Sequence, residues 1–302
     1  MKLNNCIFKF LDVEDRHFFS NMENNELICK QYRDFNDPYE SHFGINAHWP
    51  SPYKDESKLV QLIQRIEPDN FGTFTASKDS MNKYIQSHSN LRDYSLEKIK
   101  ELLMSFRICS FTKRWNHVLM WAHYANGCRG LALIFDDSKI LDCKNARTIN
   151  SQDPLNGANI PLKWITYQSC PPILNAVDVL EAIRIGTEES IISLSKKILD
   201  ICVLSKYRAW RYEQEIRMIT KIEENVGEAR VLYKYDPMAL KGAIFGSKCD
   251  PENIKKVSKL LPEECTVFLT KPAASRYKVK IVQKWKAGQI ANGEVEINQI
   301  IG

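Results

Sequence analysis

Trp210-Arg211-Tyr212-Glu213-Gln214-Glu215-Ile216-Arg217-Met218-Ile219 carries the strongest pattern in the chain. Side chains of a β-strand alternate between two faces. Read that way, Trp210, Tyr212, Ile216 and Met218 share one face, interrupted by Gln214. Arg211, Glu213, Glu215 and Arg217 share the other, two carboxylates between two guanidinium groups. An apolar face calls for a core. The charged face is either a solvated surface whose charges neutralise one another, or a site in which one acid orients and the other activates.

Outward from this stretch, short strands are predicted at 6–11, 26–32, 106–112, 129–135, 162–167, 231–235, 242–245, 267–270 and 277–282. Helices are predicted at 56–66, 93–104, 116–125, 177–205 and 251–261, with a break near Gly186 in the fourth. Asn116 would cap the helix at 116–125, and Asn126-Gly127 would end it. His117 and His123, six apart, would then lie on different faces of that helix. Residues 45–75, rich in Pro, Asn and Gly, read as an insertion or lid. No internal repeat and no long linker interrupts the chain. The pattern predicts an α+β fold, a single domain over 1–302 with a mainly antiparallel, mixed sheet flanked by helices.

Bulk composition fits a soluble globular chain. Of 302 residues, 44% are hydrophobic and 26% charged, and the net charge is +5. That mild positive balance accommodates an anionic ligand without demanding one. No apolar run approaches the length of a membrane span, so no membrane partner is expected. The opening residues show no secretory pattern. Nine cysteines form no CxxC pair, which favours reduced thiols and a cytoplasmic location. There is no glycine-rich phosphate loop, GxSxG or HExxH, and no histidine–cysteine set at metal-ligand spacing, so no metal is expected.

Three places carry candidate chemistry. Lys9 lies on the first strand, Ser110-Phe111-Thr112 on a middle strand, and Glu213-Gln214-Glu215 on a late one. This ordered set resembles ADP-ribosyltransferases of the arginine–serine–glutamate class, with lysine where that class has arginine and a longer interval between Ser110 and Glu213. The resemblance implies an ADP-ribosyltransferase-like fold and NAD as substrate. It further implies that Glu215 is the catalytic carboxylate, Glu213 its partner, and Ser110 and Thr112 the residues that orient it. Lys9 would hold phosphate, and Trp121, His123 or Tyr124 would contact the cofactor. Cleavage of the nicotinamide bond builds positive charge on the ribose, which a fixed carboxylate stabilises.

A second resemblance spans most of the chain. Phe35-Asn36-Asp37-Pro38-Tyr39-Glu40, Met120-Trp121-Ala122-His123-Tyr124-Ala125, Gly130-Leu131-Ala132, Trp210 to Arg217 and Lys241-Gly242-Ala243-Ile244-Phe245-Gly246 resemble the bacterial family catalogued as domain of unknown function 2971. That resemblance implies a bacterial cytoplasmic protein. It links some members to anti-phage defence or toxin–antitoxin loci, hence to an antitoxin or immunity partner.

Asn36-Asp37-Pro38 is turn chemistry, since Pro38 moves Asp37 out of the helical region. In the functional reading this loop, with Asn36, Asp37 and Glu40, meets substrate together with Arg217. The leading expectation is therefore transfer of ADP-ribose from NAD to a nucleic acid or protein acceptor. Two alternatives stand beside it. One is a metal-dependent nuclease or phosphodiesterase with Asp37, Glu40, Glu213 and Glu215 as oxygen ligands. The other is a non-catalytic module that senses a nucleotide or phage component through Arg107, Lys113, Arg114 and Trp115.

Overall fold

The structure is a computed structural model that describes residues 3–46, 61, 64, 89–140, 145–148, 157–222 and 230–295. Most of the expected insertion at 45–75 and of the helix at 56–66 lies outside those residues. In chain order the strands begin with β1 (Cys6–Leu11), β2 (Glu26–Lys30), β3 (Gly44–Asn46), β4 (Phe106–Thr112) and β5 (Leu131–Asp136). Next come β6 (Asn145–Thr148), β7 (Gly157–Trp164), β8 (Thr166–Gln168), β9 (Ile173–Asn175) and β10 (Ser205–Tyr207). The last are β11 (Glu215–Ile222), β12 (Arg230–Lys234), β13 (Leu240–Phe245), β14 (Thr266–Pro272) and β15 (Val279–Lys286). The class is α+β, as the sequence predicts.

The chain divides into two compact units. The first comprises Met1–Lys30, Arg107–Ile165 and Ala209–Gly302. Its large mixed sheet runs β15-β14-β13-β5-β1-β4-β2-β12-β6, with β11 joined to β4 and β7. Along the order from β15 to β6 the pairing is antiparallel except between β13 and β14, which the helix Pro251–Leu260 connects, and β11 pairs antiparallel with β7. Parallel neighbours require such a crossover. Asp250 caps this helix by accepting the Glu252 N–H at 2.8 Å, and Pro251 takes the first turn, where its missing N–H costs nothing.

Apolar runs place β5 at the centre, because a strand covered on both faces needs hydrophobic residues at every position. Leu131, Leu133 and Phe135 face one core, with Ile7, Phe111, Ile216 and Met218. The helices Phe18–Glu23, Pro251–Leu260 and Ala287–Ala291 cover that side with Phe18, Met22, Ile254, Val257 and Ile290. Ala132 and Ile134 face the other core, with Phe8 and Phe10, under Met120 and Trp121 of the helix Val118–Tyr124. At the end of the sheet order β15 exposes Lys280, Val282, Lys284 and Lys286 at alternate positions.

Close backbone approach fixes where that last helix ends. Asn126 and Gly127 take positive φ, and the Gly130 N–H donates to the Ala125 carbonyl at 2.8 Å. The Gly130 carbonyl accepts from the Gly246 N–H at 3.0 Å. A Cβ on Gly130 would meet the Leu11 carbonyl oxygen at 2.2 Å, so only glycine fits.

The second unit, Gln31–Phe106 and Thr166–Arg208, is mostly helical among its described residues. It contains the helices Ser89–Met104, Ala176–Ile185 and Glu188–Ile198, and a π-helical turn at Leu199–Val203. Gly186, at φ +64°, ends the second of these, and the Thr187 side chain caps the third. The helix predicted over 177–205 is therefore three segments, divided at the glycine and again where the winding widens. Short parallel pairs, β3 with β9 and β8 with β10, complete the unit.

Gly130→Ala is expected to lower stability by about 2–3 kcal/mol, because the added methyl must displace backbone. Urea unfolding monitored by circular dichroism measures it. A loss below about 0.5 kcal/mol would mean that the Leu11 strand yields freely.

Candidate active site in the first unit

The pattern at 210–219 is only half a strand. Arg208–Glu213 is a 3-10 turn, and β11 starts at Glu215. Between them Gln214 sits at φ +45°, a left-handed conformation that is uncommon outside glycine, asparagine and aspartate. The expected alternation therefore fails at Trp210–Gln214 and holds from Glu215 onward. Both glutamates still end up inside, each only 3% exposed, while Gln214 is exposed. The end of β4 holds the kink in place. Thr112 Oγ1 donates to the Glu213 carbonyl, and the Lys113 N–H donates to the Gln214 carbonyl at 3.4 Å.

Glu215 is gripped from two strands. Ser110 Oγ on β4 donates to its Oε1 at 2.6 Å. Arg217, two residues along the same face of β11, donates Nε to Oε1 at 2.7 Å and Nη2 to Oε2 at 3.2 Å. The solvated charged face is thus excluded, since Arg217 is wholly buried. This arginine, expected to meet substrate, makes a two-toothed pairing with Glu215. Burying such a pair costs several kcal/mol per ion in lost hydration, recovered only when geometry and extra hydrogen bonds are good.

Glu213 has its own donor. Tyr124 Oη, at the end of the helix Val118–Tyr124, lies 2.5 Å from its Oε1. Trp121 anchors that helix from inside the core: its ring meets Phe10 edge-on at 5.0 Å, and its Nε1–H donates to the Trp115 carbonyl at 2.7 Å. Trp121, expected to contact the cofactor, is fully buried.

Aromatic rings flank the carboxylates. His117 stacks on Tyr212 with centroids 5.1 Å apart and planes 18° from parallel. His123 lies 6.5 Å from Tyr212 and 6.4 Å from Trp210. The two histidines were expected on different faces of one helix; instead His117 precedes it as an extended N-cap, so both reach Tyr212. Burial, then the charges of Arg114 and Lys278, push the His117 imidazole below its ordinary pKa.

Lys9 stands elsewhere. It alternates with Ile7 and Leu11 on the sheet face that also carries Cys109 and Phe111. Its Nζ donates to the Ser110 carbonyl at 2.9 Å and lies 5.8 Å from the Phe111 ring. The Lys30–Ile108 register sets Cys29 opposite Cys109. The hydrogen bond from the Cys29 thiol, aided by the Lys9 charge, holds the Cys109 thiol below its ordinary pKa.

Of the basic run expected to contact nucleic acid, Arg107 is buried and Lys113 pairs with Asp137 at 2.6 Å. Arg114 remains partly exposed, and Trp115 packs against the second core.

In the second unit, Asn36 is exposed while Asp37 and Glu40 are buried. Asp37 closes its own turn, accepting the Tyr39 N–H at 2.9 Å on Oδ1, and the Glu40 N–H donates to the Asp37 carbonyl at 3.0 Å. Tyr39 and His42 from this turn line a cavity of about 370 Å³ together with residues 168–172 and 205–207. Among the described residues no three His, Cys, Asp or Glu side chains gather as a metal site requires. Nor is any described helix long and apolar enough to cross a membrane.

Tyr124, Glu213, Glu215 and Arg217 all fall inside one matched stretch. Residues 120–218 match a family model described as "Protein of unknown function (DUF2971)". The match supports the family resemblance over that third of the chain, which includes the helix bearing Tyr124 and the start of β11. No curated protein and no solved structure matches the chain.

Removing Arg217 alone strands a buried carboxylate, so Arg217→Met is expected to cost about 3–5 kcal/mol. Glu215→Gln combined with Arg217→Met is expected to recover a good part of that loss. A double-mutant cycle from urea unfolding gives the coupling, and additive losses would show that the two side chains do not depend on each other.

Proposed function

We propose that the first unit is an ADP-ribosyltransferase-like enzyme that transfers ADP-ribose from NAD to a nucleic acid or protein acceptor. The hydrogen bond from Ser110 Oγ to Glu215 at 2.6 Å carries this reading. It is the contact by which a serine on a middle strand would orient a catalytic glutamate. Arg217 favours the ionised form of that carboxylate, which the chemistry requires. As the bond from C1′ of the ribose to the nicotinamide nitrogen breaks, its electron pair leaves with nicotinamide. Positive charge then spreads over C1′ and the ring oxygen, and the Glu215 carboxylate opposes it. The acceptor nucleophile forms the new bond to C1′ and yields its proton to Glu213, whose Oε1 faces the Tyr124 hydroxyl. Lys9 serves in this reading by fixing the Ser110 backbone. A place in anti-phage defence or beside an antitoxin rests on the family resemblance alone.

A second reading is favoured by the complete burial of Arg217. In it, Glu215, Arg217 and Ser110 form an internal brace between β4 and β11 and the protein binds without catalysing.

One experiment separates the two. Purified protein is incubated with NAD labelled on the adenylate, together with RNA, DNA and lysate protein, and label transfer and free nicotinamide are followed. Glu215→Gln, kept at a temperature where circular dichroism shows it folded, is expected to lose transfer by at least about 100-fold. Transfer that falls only in proportion to the folded fraction would assign Glu215 to the brace. Tyr124→Phe is expected to leave nicotinamide release within about threefold while slowing transfer about tenfold or more, because it touches only the residue that takes the acceptor proton. Equal losses in both would show that Glu213 acts on the ribose step.

A further inference from the structure

The rings beside the carboxylates stand among cations. His117, Trp210 and Tyr212 are each partly exposed and His123 is exposed. Trp210 lies 6.1 Å from Tyr212 at an interplanar angle of 38°, so the set forms one joined group of rings. An isolated β-bridge sets Lys278 opposite His117, and the Val279 N–H donates to the Asn116 carbonyl at 3.0 Å. That pairing brings the exposed Lys278 alongside the ring group. Arg114 approaches from the end of β4, and its charge, like that of Lys278, acts on the His117 ring.

Acidic residues are missing from two of the segments that build this face, and the third, Arg208–Glu213, carries Glu213 as a buried side chain. Residues 113–130 contain Lys113, Arg114 and Arg129 with no Asp or Glu. Residues 271–286 contain Lys271, Arg276, Lys278, Lys280, Lys284 and Lys286, again with no Asp or Glu. Half-exposed aromatic side chains bordered by lysine and arginine match the chemistry of an unpaired nucleic-acid strand. Its bases offer π faces to stack and its backbone carries a regular row of negative charge. A folded protein surface offers neither in that repeating form, and a duplex hides its base faces.

We propose that the face formed by His117, His123, Trp210 and Tyr212, bordered by Arg114 and Lys278, binds single-stranded nucleic acid. Bases stack against the rings and phosphates lie near the cations. The acceptor role that this implies rests on the transferase reading; the binding does not. Tyr212 immediately precedes Glu213, and His123 immediately precedes the tyrosine that bonds Glu213. A strand lying on this face would therefore run beside the carboxylate that takes the acceptor proton.

Fluorescence anisotropy without NAD tests the surface. The probes are labelled oligouridylate and oligothymidylate of roughly 12 nucleotides, and a duplex of the same length. Both single strands, or one of them, are expected to bind, with affinity falling as salt rises and at least about tenfold above that of the duplex. Preference for oligouridylate would identify RNA as the ligand, and the reverse preference DNA. His123→Ala, Arg114→Ala and Lys278→Ala, all at exposed or partly exposed positions, are each expected to weaken binding about fivefold or more with an unchanged circular dichroism spectrum. Absence of binding at low salt, equal affinity for the duplex, or variants that bind like the wild type would overturn the proposal. Labelled NAD added to the same mixtures keeps the two readings apart. Binding without label transfer leaves the surface and removes the transferase. Label on protein with no oligonucleotide bound does the reverse.

Discussion

A buried carboxylate must find its charge balance inside the protein, and the first unit is arranged around how Glu215 does so. Arg217 supplies the balance from the same strand and Ser110 supplies a further hydrogen bond from β4. Neither contact survives a shift of β11 by one residue, since that would send both charged side chains into the apolar core holding Ile216 and Met218. The ion pair therefore specifies register. Its net contribution to stability is small compared with the cost of removing one member.

The two cores divide the labour of building the site. One, beneath three helices, is closed and gives the sheet its rigidity. The other lies under the short helix Val118–Tyr124, which brings Tyr124 to Glu213 and His123 to the ring group while Trp121 fixes it from inside. Such an arrangement puts the polar ends of a helix at the rim of a packed layer. Precision there comes from Trp121 and from the glycine contact at Gly130 rather than from the site residues themselves.

Much of the fold was legible because the strands are short, apolar and well bounded. Strands β1 and β4 fall where the sequence predicts them, and α+β follows from their spacing. What could not be read was the chain reversal hidden in Arg208–Gln214. The left-handed residue there is a glutamine, which gives no turn signal, and the charges on either side imitate strand alternation. The pairing of Ser110 with Glu215 was anticipated through a family resemblance, whereas Tyr124 with Glu213 was not, since a contact across 89 residues leaves no local trace. His117 was misplaced because the helix begins one residue after it, and that single residue turns its ring toward Tyr212. Arg217 was expected to meet substrate, and its full burial beside Glu215 could not be read because composition shows charge and not depth.

The row of lysines on β15 has a bearing on how copies of the chain meet. A terminal strand leaves backbone donors and acceptors unpaired and invites a strand from another molecule to dock there. A second copy adding antiparallel to β15 about Gln283 would lay Lys280 of each chain against Lys286 of the other. Like-charge repulsion along the new ladder opposes that docking, so this rim guards against strand exchange and fibril growth while remaining open to water.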